Sequence, residues 1–381
     1  MNSPFRTRLP LLLAALALGA PLPVAAQAEP PRPALPRDAD PNDWTAYYDH
    51  GVAVFKTSPG QADAAFYWAS RVDPSRAEPL FGRWATFWMR DYERWIDYLR
   101  GSRRVRESPE VARADTLLYR AAVRNPFVHR GLEALLYDRM PGRWRDDIQT
   151  RAWLAYATGD LPRAAELFGR VVERNPERNR WARYDRALAL VAMGRFGEAA
   201  TEVGRLLESL RREDEKELVR VYASKEMLEY ATGLLHSAQN DDRAAREAHQ
   251  RALLENLGFS PARAALGRIA LAERRFPEAV REYEQAVEID GRDAVVRFHY
   301  ATALQATGEV AEAERELRVV VEREPYYAAP RALLGRVLEA LNRPAEALGE
   351  YERFLALATR GEPQRPAVQQ RVTALRGSAS R

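Results

Sequence analysis

The stretch that decides the fold is RAALGRIALAERRFPEAVREYEQAVEID, residues 263–290. Leu266 and Gly267 precede a short break at Arg274 and Arg275, and apolar residues recur at steps of three and four on both sides of it. These steps are typical of amphipathic helices, so the stretch predicts two short helices joined by a tight turn. The same order of residues returns 34 residues later and once more after another 34. A period of this length indicates stacked helical repeats, because one hairpin cannot bury its apolar face alone.

Six copies of the pattern are present, and they cover 145–176, 180–211, 226–257, 260–291, 294–325 and 328–359. Every copy has an alanine at the same place after the turn: Ala164, Ala199, Ala245, Ala279, Ala313 and Ala347. A small residue there predicts a close approach of two helices, since a bulkier one would overpack at a cost of about 1–3 kcal/mol. Gly159, Gly194 and Gly308 mark the turn, where a residue with positive φ ends the first helix.

This pattern resembles the tetratricopeptide repeat family. The resemblance implies an all-α fold, a right-handed α-solenoid of stacked antiparallel helix pairs, in which the first helix of each pair lines a concave groove. The sequence departs from the family where the first helix normally has an aromatic residue: Ile148, Arg183, Glu229, Arg263, Arg297 and Arg331 stand there. The basic and amide residues with which family members clamp a partner's terminal carboxylate are not reproduced either.

Outside the regular array, the sequence predicts a signal peptide at 1–28, a proline-rich linker at 29–42, and a divergent helical region of the same kind at 43–143. That region has an insertion at about 88–108 and a predicted extra helix over Phe127–Met140. The array itself spans 144–359, with a longer helix or loop expected over Leu207–Lys225 where the spacing stretches. Residues 360–381 are expected to form a capping helix, Arg365–Leu375, and a tail.

The first 28 residues have the features of an export signal. Arg6 and Arg8 precede the apolar run Leu9–Val24, and Ala26 and Ala28 provide a small-x-small cleavage site. Retention of this segment as a membrane anchor is the alternative. The chain contains no cysteine, which excludes lipid attachment at a cysteine, disulfides and thiol chemistry. Export without disulfides favours a bacterial periplasmic location over a small secreted eukaryotic domain, with secretion as an alternative.

Composition and motifs do not indicate an enzyme. The net charge is +4 with both signs interspersed, which gives no argument for nucleic-acid binding. The five histidines show no paired metal-ligand spacing, and His236 and His249 fall on framework positions that favour a core role. No nucleophile–base arrangement, phosphate-binding loop or dinucleotide-binding motif can be recognised in the sequence. We therefore expect no catalytic residues, no cofactor and no metal.

The family resemblance implies a partner-binding groove along the first helices. The residues placed on or near it are Trp153, Tyr156, Trp181, Tyr184, Tyr230, Arg268, Phe298 and Arg336. Aromatic rings that give way to charged residues suggest an extended peptide or a partner helix as ligand. Burial of several rings between adjacent repeats is the second interpretation, and both remain open at the level of sequence.

The insertion provides a second candidate surface. Trp88, Tyr92 and Trp95 recur at steps of four and three, and Arg103, Arg104 and Arg106 follow. The stripe either packs on the neighbouring repeat or anchors a partner with the arginines as a polar rim, since these residue types dominate binding hot spots.

Three functional hypotheses follow. The preferred one is a non-enzymatic periplasmic scaffold or adaptor that binds a protein partner through its groove. The second is a module that binds a cell-envelope polymer, peptidoglycan or polysaccharide. The third, which the sequence disfavours, is an enzyme with an unrecognised site in residues 77–143. We expect no membrane span in the mature chain, because no second long apolar run exists.

Overall fold

The structure is a computed structural model that describes residues 29–139, 146–215 and 224–379. Its regular elements in these ranges are all helices. In chain order they are α1 (Trp44–Val54), α2 (Pro59–Val72), α3 (Glu78–Arg90), α4 (Tyr92–Leu99), α5 (Arg103–Arg106), α6 (Pro109–Arg124), α7 (Gly131–Asp138), α8 (Ile148–Ala157), α9 (Leu161–Arg174), α10 (Ala182–Ala192), α11 (Phe196–Asp214), α12 (Lys225–Ala238), α13 (Asp242–Glu255), α14 (Ser260–Ala272), α15 (Phe276–Ile289), α16 (Ala294–Thr307), α17 (Val310–Arg323), α18 (Ala329–Ala340), α19 (Pro344–Leu357) and α20 (Arg365–Ala379).

The chain divides into two compact units. Of the described residues, those within 29–32, 51–67 and 76–255 form the first unit. Those within 33–50, 68–75 and 256–379 form the second unit. The first unit therefore contains the first three regular repeats, and the second contains the last three together with two segments from near the N-terminus.

The six predicted repeats are six helix pairs, from α8–α9 to α18–α19, and the two helices of each pair pack on each other. All six alanines predicted at close helix approaches are fully buried. The helices of each pair are joined by a residue with positive φ, which is Gly159, Gly194 or Gly308 as predicted, or else Asn240, Arg274 or Asn342. The 34-residue pattern thus predicted both the helices and the turns correctly.

The stretched spacing after the second repeat is filled in part by a longer helix, as predicted. α11 has 19 residues, whereas the second helix of each other regular repeat has 14. The remainder of the predicted stretch, residues 216–223, lies outside the described residues.

The divergent N-terminal region also contains helix pairs, since α1 approaches α2 where Gly51 meets the Phe66 ring and α3 packs on α6. α4 and α5 form the insertion between the two helices of the second pair. The extra helix predicted over Phe127–Met140 is shorter than expected, since α7 begins only at Gly131. The side chain of Asn125 accepts a hydrogen bond from the Phe127 N–H at 2.9 Å, and His129 Nδ1 accepts one from the Gly131 N–H at 3.2 Å. These local turns compete with a helical path before Gly131.

The linker predicted at 29–42 is bonded at its C-terminal end to the last repeat. Asn42 Nδ2 donates a hydrogen bond to the Ala356 carbonyl oxygen at 2.9 Å, and the Arg360 N–H donates one to Asp40 Oδ2 at 2.7 Å. These bonds join residues more than 300 positions apart within the second unit. The polar side chains that suggested a solvated linker instead satisfy main-chain groups at the end of α19.

The C-terminal capping helix is present as α20. Val368 and Val372 are buried against the last repeat, and Leu375 packs against the same core. Val368, Val372 and Leu375 therefore form the inward face of this helix.

Candidate functional site

The aromatic stripe of the insertion is part of a buried cluster. Trp88 and Trp95 are fully buried, with ring centroids 5.3 Å apart, and Trp84 lies 6.0 Å from Trp95. Tyr92 is half-buried, and the Arg139 guanidinium lies 4.7 Å above its ring. This corrects the interpretation of the stripe as an accessible anchor, because the rings pack on α3 and on one another instead of facing solvent.

The arginines of the insertion differ in exposure. Arg103 and Arg104 are exposed, and Arg103 donates to Glu107 at 2.7 Å. Arg106 is half-buried, with its guanidinium 5.7 Å above the ring of Tyr98. Two of the three arginines are therefore exposed, whereas the third covers an aromatic ring of the insertion.

A carboxyl group with one fully buried oxygen lies next to this cluster. Asp115 of α6 faces the indole N–H of Trp84, and burial raises its pKa to about 7 even though that N–H favours the ionised form. Desolvation of the charged form is the larger effect here. Asp115 thus titrates near neutral pH.

Four of the predicted groove rings are in the interior of the first unit. Trp153, Tyr156, Tyr184 and Tyr230 are each no more than 6% exposed. The expectation that these rings are accessible in an open groove is thereby corrected, and the second interpretation, burial, describes them. Trp181 remains half-buried.

The chain's own segment Val123–Arg130 covers the tyrosines of this groove. Tyr230 Oη donates a hydrogen bond to the Val123 carbonyl oxygen at 2.8 Å, and Tyr184 Oη donates one to the Pro126 carbonyl oxygen at 2.6 Å. The two donors belong to α12 and α10, and the acceptors precede them by 107 and 58 residues. The groove therefore holds an internal segment by its main chain.

Side chains of the same segment stack on the groove rings. The Phe127 ring stacks on Tyr184 at 5.8 Å, and His129 stacks on Tyr156 at 4.9 Å. Burial lowers the pKa of His129 and raises the pKa of Tyr184 to about 12. Both rings are consequently neutral at pH 7, which suits stacking in an apolar interior.

Sequence analysis missed this segment as part of the site. Its signal is Asn125-Pro126, which ends α6 with an extended residue before proline. The pattern indicates that the helix stops there, but not that the following residues enter the groove of later repeats.

The predicted groove residues of the second unit are in a different environment. Arg268 and Arg336 are exposed at equivalent positions of α14 and α18, and Thr302 of α16 stands between them in the repeat pattern. Phe298 of α16 is half-buried and meets Tyr327 edge-on at 5.7 Å. We call Arg268, Phe298, Thr302 and Arg336 the C-terminal first-helix face. It combines two accessible cations with a partly accessible ring.

The arginines that replace the family's first-helix aromatic make a repeated ion pair. Each lies 19 residues before a glutamate on the second helix of the same repeat. The pairs are Arg183–Glu202, Arg263–Glu282, Arg297–Glu316 and Arg331–Glu350. In the third repeat the sign is reversed, since the buried Glu229 accepts from Arg251 at 3.0 Å and from Arg211 at 2.8 Å. These residues hold the two helices of a repeat together rather than offering a ligand site.

The core role predicted for His249 is confirmed. His249 is fully buried, and a Cβ placed on Gly233 would approach its ring to 2.4 Å, so the glycine is required for this contact. His236 is half-buried. Across the described ranges, no group of three histidines, cysteines or carboxylates is arranged to hold a metal ion.

The fold defines the chain as an all-α solenoid of antiparallel helix pairs. The family model for the tetratricopeptide repeat matches residues 155–223 and 270–325, which supports a tetratricopeptide-repeat protein. No curated protein matches the chain. Among the helices that the structure describes, none is both long and apolar enough to cross a membrane.

Several solved structures are similar to parts of the chain. YrrB, described as a tetratricopeptide-repeat protein with an unusual peptide-binding site, is 19% identical, with a TM-score of 0.40 over 51% of this chain and 93% of that one. The Cut9–Hcn1 hetero-tetramer of the APC/C is 13% identical, with a TM-score of 0.45 over 87% and 76%. The C-terminal part of a repeat protein from Cytophaga hutchinsonii is 14% identical, with a TM-score of 0.45 over 60% and 95%.

Proposed function

We propose that the protein is a non-enzymatic scaffold that binds a protein partner through its C-terminal first-helix face. The observation that carries this proposal is the contrast in exposure along the predicted groove. Tyr156, Tyr184 and Tyr230 of the first unit are buried and contact the chain's own segment. In the second unit, Arg268 and Arg336 are exposed and Phe298 is partly exposed. Stacked helix pairs present such a face repeatedly, and partner binding is the use that this architecture favours.

The chemistry of this face selects an acidic partner segment with an apolar side chain. A guanidinium binds a carboxylate through two parallel hydrogen bonds, which a lysine cannot reproduce. Arg268 and Arg336 stand two repeats apart, with Phe298 on the helix between them. A partner with two carboxylates flanking an apolar residue would engage all three side chains at once.

Charge reversal tests this assignment. The chain with Arg268→Glu and Arg336→Glu, the chain with Phe298→Ala and the native chain are compared in pull-down from a periplasmic extract. The matched control is Arg281→Glu, an exposed arginine on the second helix of the fourth repeat. We expect one partner to be lost with the double variant, weakened with Phe298→Ala and retained with the control. Equal recovery with all four chains would refute the face.

We also propose that the protein is exported to the periplasm, on the sequence pattern of residues 1–28. Sequencing the N-terminus of protein purified from its native host tests this, with Glu29 expected as the first residue. A chain that still begins at Met1 and remains with the membrane fraction would support the anchor instead. Sedimentation with purified peptidoglycan separates a protein scaffold, which stays in solution, from a polymer-binding module.

A further inference from the structure

The groove of the first unit has the features of a peptide site that is already filled. Its donors are tyrosine hydroxyls that bond to main-chain carbonyl oxygens, at Val123 and at Pro126. Contacts to the main chain hold a segment whatever its side chains are, as in other modes of peptide recognition. Asn125 is extended, and the four residues from Phe127 to Arg130 lie outside any helix.

The two tyrosines hold the same position in successive repeats. Tyr184 follows Arg183 of the second repeat, and Tyr230 follows Glu229 of the third, directly after the residue that replaces the family's aromatic. In the second unit this position is taken by Ala264 and Ala332 on either side of Phe298, and none of these side chains can donate a hydrogen bond. The hydroxyl donors are therefore specific to the groove that contains the internal segment.

The contacts made by the side chains of this segment define the kind of peptide that the groove can bind. Pro126 offers no N–H to satisfy, and Phe127 stacks on Tyr184. The Arg130 guanidinium forms a buried ion pair with Glu133 at 3.5 Å and lies 5.9 Å from the Tyr184 ring centroid. The buried Asp185 of α10 is a further carboxylate close to it. The groove thus binds an aromatic side chain and, three residues later, a cationic one.

We propose that residues 125–130 are an internal ligand of this groove, and that an extended partner segment of the same chemistry takes their place. The partner segment has a proline, an aromatic residue directly after it and an arginine three residues after the aromatic. This site differs from the C-terminal first-helix face in both its location and its charge preference. Its occupancy by the chain itself makes it an autoinhibited site, because the free groove is available only when residues 125–130 leave it.

A peptide supplied in trans tests this inference. The probe is a fluorescent peptide with the sequence of residues 123–131, VRNPFVHRG, and binding to the full chain is followed by fluorescence anisotropy. The control peptide has serine in place of the phenylalanine and of the second arginine. The receptor variants are Phe127→Ser, which weakens the internal ligand, and the same variant with Tyr184→Phe and Tyr230→Phe, which removes the donors.

We expect the probe to bind the Phe127→Ser chain at least about tenfold more tightly than the native chain, because apparent affinity scales with the fraction of groove that is open. Removal of the two hydroxyls should weaken that binding by about fivefold or more, since each contributes a hydrogen bond. Equal binding of probe and control peptide, or equal binding by native and Phe127→Ser chains of unchanged helical content, would overturn the proposal. If Phe127→Ser loses helical content, Phe127→Leu, which keeps the apolar volume but loses the stacking, is held to the same two outcomes.

Discussion

Arg331 Nη1 donates a hydrogen bond to Glu350 Oε2 across 2.9 Å, and only 10% of either side chain is exposed. The pair joins α18 to α19, the two helices of the last repeat. Arg331 also donates through Nη2 to the Pro325 carbonyl oxygen at 3.1 Å. One guanidinium therefore connects both helices of its repeat to the end of the preceding one, at the place where the family normally packs an aromatic ring.

Removal of this guanidinium should destabilise the second unit. Arg331→Ala leaves the Glu350 carboxylate largely buried with one fewer donor, and hydrogen bonds to charged groups contribute about 1.5–3 kcal/mol. We expect a loss of that size in the free energy of unfolding, measured by urea denaturation followed by circular dichroism. Replacement of both partners, Arg331→Met with Glu350→Leu, should restore most of it, because an apolar pair leaves no buried charge uncompensated.

The matched control for this prediction shares the same carboxylate. Arg353 donates to Glu350 Oε1 at 2.5 Å, but its side chain is 65% exposed. Exposed ion pairs contribute about 0–1 kcal/mol, so Arg353→Ala should have little effect. If Arg353→Ala and Arg331→Ala destabilise the protein equally, the buried position of Arg331 is not the cause.

Small residues at the helix crossings should be intolerant of added volume. Ala279 and Ala313 are fully buried between helices, whereas Ala238 is exposed at the end of α12. Ala279→Leu or Ala313→Leu should cost about 1–3 kcal/mol through overpacking, and Ala238→Leu should cost little. Thermal melting of the three variants checks this, and similar melting temperatures would mean that the helix pairs do not close on these alanines.

The regular repeats could be predicted from the sequence because their determinants are local. A helical period, a small residue at each crossing and a residue suited to positive φ all recur within 34 positions, and each is visible in the sequence. The sequence also showed that arginine replaces the aromatic residue that the tetratricopeptide repeat normally has in its first helix. Their glutamate partners, such as Glu202 for Arg183, could not be identified because many other glutamates are equally close in sequence.

The candidate site could be predicted only in part, because exposure depends on contacts distant in sequence. The face of a helix on which Tyr184 and Arg268 lie follows from the repeat pattern in both cases. Whether that face is open does not, since Tyr184 is covered by Pro126 and Phe127 from a region 58 residues earlier. No periodic signal links a loop of the divergent region to the groove of later repeats.

Stability should depend on pH through Asp115. Burial raises the pKa of this carboxyl to about 7 in the folded protein from 3.8. The folded state therefore binds the proton more tightly than the unfolded state. This stabilisation is complete below about pH 4 and is lost as the pH rises through 7, at about 1.4 kcal/mol per pH unit within that window.

The variant Asp115→Asn isolates this effect, because asparagine has a similar shape and does not titrate. Its melting temperature should exceed that of the native chain at pH 8, and the difference should shrink at pH 5. Asp97→Asn is the control, since Asp97 is an exposed residue of the same region. A native chain whose stability between pH 5 and pH 8 changes as little as that of Asp115→Asn would contradict the buried, protonated carboxyl.

Residues 68–75 of the second unit should contribute to the stability of the last repeats. Trp68 is buried and meets Tyr326 edge-on at 5.1 Å, and Arg71 forms an ion pair with Glu324. Substitution of a buried tryptophan by alanine typically costs about 3–5 kcal/mol.

In Trp68→Ala we expect faster hydrogen exchange in α18, directly after Tyr326, and unchanged exchange in α8 of the first unit. Arg37→Ala, at an exposed position of the other N-terminal segment of this unit, 33–50, should leave both helices unchanged. Exchange that is equally slow in α18 of the native and Trp68→Ala chains would mean that this contact does not stabilise the last repeat.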